Sequence, residues 1–243
     1  MGERQQMKQS VSVVIFAYNE EKTIAQAIQE AAHALIRLGH PYEIIVIDDG
    51  SSDNTFTNAK EMAGRYDPQV RIIQHKKNMG FGGVFKTGMD AAKNDIFSFI
   101  AGDGQPIPEV YYSRCLPPLE THDMVVGKIR NRQDPKLTLF FAWAERLLLL
   151  FLFPGVPKIE GPFMFKRTLL DKIDLHYRKQ EERGWIIIIE LMIRAIREGY
   201  SCAIVEVERR PRPVGRSHAN NWKNAFRMTW LLFKVWWMIV RGK

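Results

Sequence analysis

Cysteine is scarce in this sequence of 243 residues, which contains only Cys115 and Cys202. Because the two are not arranged as a C-x-x-C pair, the sequence supports neither a disulfide framework nor a thiolate zinc site, and a reducing compartment is expected. The first ten residues, MGERQQMKQS, lack the apolar core of a secretory signal. We therefore expect the protein to stay in the cytoplasm, on the side of the membrane where it is made.

Acidic residues are scarce near the carboxyl terminus. The chain carries a formal net charge of +8, but residues 206–243 hold nine Lys and Arg against two Glu, a net charge of +7. Four of the six tryptophans lie in the same segment. Basic residues mixed with tryptophan favour a membrane surface over a duplex groove, so no nucleic-acid partner is expected.

Long uncharged runs are also missing from the terminal segment. The longest, 228–233 and 235–240, are far shorter than the roughly 20 residues that cross a bilayer. Residues 137–153 are rich in Leu and Phe, but Glu145 and Arg146 interrupt them. Both segments therefore predict helices that lie on a membrane surface, with packing on the sheet or on a partner subunit as the alternative.

The charges of the terminal segment form a narrow stripe. At 100° per residue, four basic side chains fall within about 40° of one another on an otherwise apolar helix. They are Lys223, Arg227, Lys234 and Arg241. We predict an amphipathic helix over residues 219–243, appended to a domain of residues 1–218 and peripheral on the cytoplasmic face of the membrane.

Strands alternate with helices along the first hundred residues. Apolar runs predict strands at 11–17, 42–48, 70–75 and 96–101. The intervening helices are predicted after residue 19, ending at Gly39; from a cap at Ser51 or Ser52 to about Arg65; and over about 83–93. Later residues predict strands at 123–129, 161–167 and 202–208 and a helix over 185–198. The pattern predicts an α/β fold with a mostly parallel sheet and helices on both faces.

Carboxylates follow two of the predicted strands, at the edge where ligands bind in parallel sheets. In IDDGSSDNT, residues 47–55, Asp48 and Asp49 offer acceptors for ribose hydroxyls or a base N–H. The alternative is a capped turn in which Asp53 complements the next helix dipole.

A second loop carries hard oxygen ligands. In FIAGDGQPIPE, residues 99–109, Asp103 and Gln105 could share one Mg²⁺ or Mn²⁺ with a diphosphate. A polar turn shaped by Gly102 and Gly104 is the alternative. The glycine-rich NMGFGGVFKTG, residues 78–88, matches neither a dinucleotide fingerprint nor a P-loop, and only predicts close backbone approach.

These segments follow Phe16-Ala17-Tyr18-Asn19-Glu20 in fixed order, and together they resemble the inverting family 2 glycosyltransferases of GT-A fold. The resemblance is greatest to the branch of dolichyl-phosphate mannosyltransferases and other polyprenyl-phosphate glycosyltransferases. Residues 212–218, RPVGRSH, resemble that branch's R-x-x-G-x-S-K. The resemblance implies transfer of a sugar from a nucleotide-diphosphate sugar to a polyprenyl phosphate at the membrane surface.

The resemblance also implies roles for individual residues. Those that bind the donor would be Phe16, Tyr18, Glu20, Val46, Asp48, Gly102, Asp103 and Gln105. Asp103 and Gln105 would also hold Mg²⁺ or Mn²⁺. Two positions depart from the family. Ala101 stands where its metal motif has a first Asp, so we expect either weaker metal binding or a metal that rests more on Asp103 and the diphosphate. His218 replaces a lysine, which would make phosphate binding there depend on histidine protonation.

Phosphate chemistry suggests the remaining residues. Arg212, with Lys128 or Arg130, is a candidate to clamp donor and acceptor phosphates, because guanidinium suits bidentate phosphate contact. The resemblance implies that Ser217 and His218 also bind the acceptor or its phosphate. A polyprenyl phosphate is already anionic and needs no strong base. A neutral hydroxyl acceptor would need one, and Glu160 is then the candidate. The predicted catalytic residues are thus Asp103, Arg212 and Glu160.

Other functions stay open at this point. One is a soluble family 2 enzyme that acts on a saccharide or another hydroxyl acceptor. Another is a catalytically weakened protein that binds nucleotide sugars, suggested by Ala101. A nicotinamide-dependent dehydrogenase is disfavoured because G-x-G-x-x-G does not follow the first strand. The sugar, the nucleotide and the oligomeric state are not predicted.

Overall fold

The structure is a computed structural model that describes residues 8–130, 136–157, 159, 161–175, 186–211 and 222–241. Side chains are described for these residues except 136–139, 141, 142, 222–228 and 240. Seven strands form one sheet in the order β3-β2-β1-β4-β6-β5-β7. They are β1 Val11–Ala17, β2 Tyr42–Asp48, β3 Val70–Gln74, β4 Ile96–Ala101, β5 Met124–Ile129, β6 Phe163–Lys166 and β7 Cys202–Val207.

Eight α-helices and one short 3-10 helix, Pro117–Glu120, accompany the sheet among the described residues. The α-helices are α1 Ile24–Leu38, α2 Thr55–Gly64, α3 Gly80–Ala91, α4 Pro108–Cys115, α5 Lys136–Leu152, α6 Leu169–Lys172, α7 Ile186–Arg197 and α8 Trp222–Val240. The α/β class, the mostly parallel sheet and the helices on both faces are confirmed.

The sheet is parallel at its centre and mixed on one side. β1 pairs in parallel with β2 and β4, and its residues are buried on both faces, which explains the unbroken apolar run VSVVIFA. β6 runs antiparallel between β4 and β5, and β7 pairs in parallel with β5. The carboxyl ends of β1, β2 and β4 therefore meet at one edge, beside the point where the chain direction reverses.

Two apolar cores lie on opposite faces of the sheet. One contains residues of α1, α2 and α4, including Ile24, Ile28 and Tyr112. The other contains residues of α3, α5, α7 and α8, including Phe85 and Ile193. Burial of both faces requires this arrangement, since each strand alternates its side chains between the two sides.

Helix α8 is part of the second core. Leu231, Leu232 and Val235 are buried within it, whereas Trp230 and Trp237 on the other side of the helix are more than half exposed. The predicted terminal helix thus packs on the domain, which was the alternative to a helix lying on a membrane. Its outer side still presents an apolar surface. No helix among the described residues is long and apolar enough to cross a membrane.

Three local predictions differ from the structure. Helix α4 was not predicted, because the prolines and glycines before residue 109 indicated a loop. Helix α2 begins at Thr55 and is not capped by Ser51 or Ser52, which contact Asn19 instead. Helix α3 begins at Gly80 rather than near residue 83, because Asp49 accepts hydrogen bonds from its first amides.

Candidate active site

The loops after β1 and β2 are joined by hydrogen bonds. Asn19 has a φ of 56°, and its backbone N–H donates to Ser51 Oγ at 2.9 Å while its side-chain Oδ1 accepts from the Ser52 N–H at 2.9 Å. The Glu20 N–H donates to Thr55 Oγ1 at 2.8 Å. The left-handed backbone at Asn19 is one that asparagine tolerates. These contacts hold the loops after β1 and β2 in one orientation.

Asp53 strengthens the same junction. One carboxylate oxygen accepts the Thr55 N–H at 3.0 Å, and the other accepts the Glu21 N–H at 3.3 Å. Burial alone would raise the pKa of Asp53, but the hydrogen bonds from Thr55 and Glu21 outweigh it and lower the pKa below its ordinary value. Asp53 therefore serves the turn, as the alternative interpretation of this motif had it.

Asp48 ends β2 and is fully buried. Its carboxylate accepts from the Ser51 N–H at 3.2 Å and from Gln74 Nε2 at 3.0 Å. Val46, two residues earlier, is also fully buried, between β1 and β3. The Val46 side chain packs in the core on the strand that carries Asp48, and its predicted role in donor binding stays a prediction.

Asp49 anchors the glycine-rich segment. Its carboxylate accepts the Met79 and Gly80 N–H groups, both at 2.8 Å, and lies 2.7 Å from His75 Nδ1. His75 Nε2 contacts Thr87 Oγ1 at 2.9 Å. A carboxylate at the first amides of α3 satisfies donors that have no partner within the helix and complements its dipole. The second carboxylate of the pair is thus a structural residue.

The loop after β4 is held against β1. The Gly102 N–H donates to the Phe16 carbonyl at 2.8 Å, and Thr23 Oγ1 donates to the Gly102 carbonyl at 2.7 Å. A Cβ at Gly102 would lie 3.1 Å from the Phe16 carbonyl oxygen, so glycine permits this close approach. Asp103 follows, nine-tenths buried, and its Oδ1 accepts the Gln105 N–H at 3.1 Å.

A cavity of about 120 Å³ lies at this edge of the sheet, beside the end of β4 and the start of β6. Its polar lining is Asp103, Gln105, Tyr111 and Arg209, and its apolar wall includes Phe16, Phe99, Ile129, Pro162, Phe163 and Ile188. Phe16 stacks on Phe99 with ring centroids 4.8 Å apart, which fixes one wall. Asp103 and Arg209 therefore line the cavity together with an apolar wall.

Tyr111 stays protonated in this cavity. Burial raises the pKa of its phenol to about 12, a rise that nearby Asp103 reinforces and nearby Arg209 opposes. A neutral phenol both donates and accepts a hydrogen bond, but it does not act as a base near neutral pH.

The donor set suits a divalent ion that brings further ligands with it. Asp103 and Gln105 are oxygen donors on one loop, as Mg²⁺ and Mn²⁺ prefer. Among the described residues no group of three or more His, Cys, Asp or Glu surrounds a common point. Ala101 lines the cavity where a second carboxylate would stand in the family. The residues fit an ion held by one carboxylate, one amide and the oxygens of a diphosphate.

The structure gathers part of the predicted site. Phe16, Asp103 and Gln105 line the cavity. Tyr18, at 39% exposure, and Glu20, at intermediate exposure, lie in the loop after β1. Their binding roles stay predictions.

The predicted phosphate-binding residues are less concentrated. Lys128 is not among the cavity residues, and its Nζ lies 3.5 Å from Glu206 Oε1 on the neighbouring strand. The exposed Arg130 donates its backbone N–H to the Val207 carbonyl at 2.9 Å. Four other predicted residues lie outside the described part of the chain: Glu160, Arg212, Ser217 and His218.

Sequence reasoning missed two polar residues of the cavity. Arg209 stands three residues before the predicted basic motif and was counted only as part of a charge excess. Tyr111 lies on α4, which was not predicted. The pair Arg209-Arg210 directly after a predicted strand was the available signal for Arg209, since that position meets the ligand edge when the strand is parallel to its neighbour.

The sequence model of the glycosyl transferase family 2 matches residues 12–179, which contain all the strands of the site except β7. The chain belongs to this family. The predicted resemblance to family 2 is confirmed.

Among curated family 2 relatives, the dodecaprenyl-phosphate galacturonate synthase of Rhizobium johnstonii is 32% identical over 126 residues, 51% of this chain and 37% of that protein. An undecaprenyl-phosphate 4-deoxy-4-formamido-L-arabinose transferase of Pseudomonas fluorescens is 32% identical over 169 residues, 67% of this chain and 49% of that protein. The chain spans half or less of the length of these relatives.

Solved structures confirm the GT-A fold. The glucosyl-3-phosphoglycerate synthase of Mycobacterium tuberculosis, crystallised with Mn²⁺, UDP and phosphoglyceric acid, superposes with a TM-score of 0.71 at 22% identity, over 94% of this chain and 78% of that one. The mannosyl-3-phosphoglycerate synthase of Rubrobacter xylanophilus superposes with a TM-score of 0.72 at 19% identity, over 96% and 75%. At these identities the likeness concerns the fold.

Proposed function

We propose that this family 2 protein transfers a sugar from a nucleotide-diphosphate sugar to a polyprenyl phosphate at a membrane surface. Two curated relatives are named for products or substrates of that lipid class. The observation that carries the proposal is the composition of the cavity: among its described lining residues, Asp103 is the one carboxylate, and it stands beside an apolar wall.

A phosphate acceptor fits a cavity that is poor in bases. The acceptor oxygen of a polyprenyl phosphate is already anionic near neutral pH, so transfer needs no strong general base. With Asp103 assigned to the donor, a hydroxyl acceptor would need another carboxylate. Glu160, between the cavity residues Ile159 and Gly161, is the remaining candidate and lies outside the described part of the chain. The apolar wall also suits the first prenyl units of a lipid.

On the donor side, Asp103 and Gln105 would hold a Mg²⁺ or Mn²⁺ ion. When bound, such an ion stabilises the charge that develops on the departing nucleoside diphosphate. Asp103 is kept in place by the Gln105 N–H and by the contact of Gly102 with β1. This support fixes the carboxylate before a donor arrives, which lowers the cost of binding in the reactive orientation.

The donor assignment is tested by thermal shifts with UDP, GDP and dTDP sugars, each with and without Mn²⁺. We expect one donor to raise the melting temperature in a metal-dependent way, and Asp103→Asn to abolish that increment. Exposed Asp90→Asn is the matched control. An increment that Asp103→Asn leaves unchanged would refute the metal assignment.

The acceptor is tested by following radiolabelled sugar from the active donor. We expect transfer to undecaprenyl or dolichyl phosphate dispersed in detergent. Transfer to a saccharide alone identifies the soluble family 2 enzyme that the sequence left open. Donor binding with neither transfer nor slow donor hydrolysis identifies the weakened binding protein instead.

A membrane surface is proposed as a partner because two adjacent helices expose large apolar side chains. Helices α5 and α8 pack against each other. The exposed residues are Phe140, Trp143, Leu147, Leu150 and Phe151 of α5 and Trp230, Phe233 and Trp237 of α8. Their spacings of three, four and seven residues place them in one stripe on each helix. We call these eight residues the apolar face.

Basic groups accompany the apolar face. The Arg241 guanidinium lies 3.9 Å from the Trp237 ring centroid, and Lys234 is exposed. Tryptophan with a basic residue beside it is typical of segments that bind at the level of lipid head groups. The charge of +7 over residues 206–243 favours anionic lipids.

Flotation with vesicles of phosphatidylglycerol and phosphatidylcholine tests this partner. We expect wild type to float with the anionic vesicles, and Trp230→Ser with Trp237→Ser to reduce flotation severalfold. Ile204→Ser, at an isolated exposed isoleucine on β7, is the matched control and should float normally. Membrane binding would be contradicted if the wild-type protein stayed in the soluble fraction, or if it buried the apolar face in a dimer.

A further inference from the structure

The end of β7 and the segment that follows it are fixed to the rest of the domain at three points. Arg114 Nη1 donates to the Glu206 carbonyl at 2.9 Å. The Val207 carbonyl accepts the Arg130 N–H at 2.9 Å, and the Arg210 N–H donates to the Gln105 carbonyl at 2.9 Å. The last contact joins this segment directly to the loop that carries Asp103.

A side-chain ion pair completes the attachment. Arg210 Nη1 lies 3.0 and 2.8 Å from the two carboxylate oxygens of Glu30 on α1. The Glu30 side chain is 28% exposed and the Arg210 side chain 40%, so the pair is only partly open to water. Arg210 therefore faces away from the cavity and is held by two parts of the domain. We call these contacts of Arg210 the Glu30–Arg210 clamp.

The clamp determines where the preceding residue can go. Arg209 lines the cavity together with Asp103 and Tyr111. Burial raises the pKa of Tyr111, and the positive charge of Arg209 partly opposes that rise. A guanidinium at this place faces the same small space as the predicted metal-binding carboxylate. It supplies N–H donors suited to phosphate oxygens.

We propose that Arg209 binds phosphate oxygens in the cavity and that the Glu30–Arg210 clamp is the positioning device that holds it there. The inference rests on the proposed function, since it names a residue for the phosphates of that reaction. The phosphate belongs to either the acceptor or the donor, and the two sources share the same chemistry. Binding measurements distinguish them without any turnover.

The test of Arg209 uses calorimetry with two probes. One is a water-soluble short-chain prenyl monophosphate, and the other is UDP or GDP with Mn²⁺. Arg209→Met keeps the aliphatic stem and removes the charge. We expect it to lower the affinity for one probe by about 10- to 100-fold, because that is the usual contribution of a hydrogen bond from a charged group. Arg37→Met, at a 69% exposed arginine with a longer ion pair, is the control and should bind both probes normally.

The two probes identify the source of the phosphate. If Arg209→Met loses affinity for the prenyl monophosphate alone, Arg209 binds the acceptor phosphate. If it loses affinity for the nucleotide alone, Arg209 binds the donor. Unchanged affinity for both probes in a folded Arg209→Met protein overturns the proposal. If transfer activity is absent from wild type but Arg209→Met still loses a probe, the proposed reaction fails while the phosphate site stands.

The clamp is tested by a double-mutant cycle. We expect Glu30→Gln and Arg210→Met each to weaken the same probe as Arg209→Met, by about 3- to 10-fold, and the double variant to be no worse than either single one. In steady state the KM for that substrate should rise more than kcat falls. The exchanged pair Glu30→Arg with Arg210→Glu should recover part of the affinity. Single variants that lose thermal stability but bind the probe normally would show the clamp to be structural only.

Discussion

Asp49 Oδ1 and His75 Nδ1 lie 2.7 Å apart below the carboxyl end of β2. Both side chains are largely buried, at 5% and 13% exposure. The same carboxylate receives two backbone amides of the α3 terminus, so one side chain joins β2, β3 and the glycine-rich segment. The motif that resembles a pair of ligand-binding carboxylates is therefore divided: Asp48 remains a candidate for the donor, and Asp49 holds the scaffold.

Asp49→Asn tests that division. An amide offers one acceptor oxygen in place of two, so at least one buried N–H group loses its partner. We expect a loss of about 1–3 kcal/mol in the free energy of unfolding, measured by urea denaturation. Glu61→Gln, at a 73% exposed carboxylate on α2, should change stability by less than about 0.5 kcal/mol. Equal effects of the two substitutions would contradict the structural role of Asp49.

Gly102→Ala tests the close approach of the Asp103 loop to β1. The added Cβ would lie 3.0 Å from Ile24 Cδ1 and 3.1 Å from the Phe16 carbonyl oxygen, and the backbone oxygen cannot move aside cheaply. We expect a loss of about 1–3 kcal/mol, together with a weaker metal-dependent thermal shift because Asp103 moves.

Gly64→Ala is the matched control for that substitution. No atom lies within 4 Å of the Cβ that it adds at the end of α2. Its stability should be unchanged or higher by up to about 1 kcal/mol, since alanine favours helix more than glycine. If both alanine variants retain full stability and metal response, the loop tolerates movement and its geometry is not a determinant of metal binding.

Ala101→Asp tests whether the missing carboxylate limits metal affinity. Ala101 lines the cavity two residues before Asp103, so a new carboxylate there adds an anionic ligand. We expect Mn²⁺ to bind about tenfold more tightly in the presence of the nucleoside diphosphate, a gain of about 1.4 kcal/mol. Ala101→Asn supplies similar bulk without charge. A tenfold gain in both variants would trace the effect to an extra oxygen ligand and not to charge.

The pH dependence of stability tests the junction at Asp53. Its folded pKa is depressed, so its stabilising contribution is present above the unfolded pKa and is lost as pH falls through the folded one. We expect Asp53→Asn to be less stable than wild type near neutral pH by no more than about 1 kcal/mol, because the site is partly exposed. The two unfolding curves should converge in acid. A difference that persists there would mean that the carboxylate charge is not responsible.

The central strands could be predicted from the sequence because their signals are local. The bounds of β1, β2 and β4 agree with the predicted runs, and Gly39 ends α1 with a φ of 67°. Apolar runs of six or seven residues bounded by polar turns report burial on both faces of a sheet. The loop of Asp103 and Gln105 was found for the same reason, since it directly follows such a run.

Other features depend on contacts that the local sequence does not contain. Helix α3 begins early because a carboxylate some thirty residues away reaches its first amides. The antiparallel insertion of β6 between β4 and β5 follows from tertiary pairing, and no local pattern specifies it. Arg209 enters the cavity because Glu30 holds its neighbour from 180 positions earlier.

The cavity is built from residues spread between Phe16 and Arg209. Its walls come from the first strand, the fourth strand, the antiparallel β6 and the segment that leaves the last strand. Contacts at such separation form late in folding, because the entropy of closing long loops must first be overcome. A chain still emerging from the ribosome therefore has no complete pocket until β7 is in place. Under this order of assembly, a partly synthesised chain has no formed cavity in which to bind a ligand.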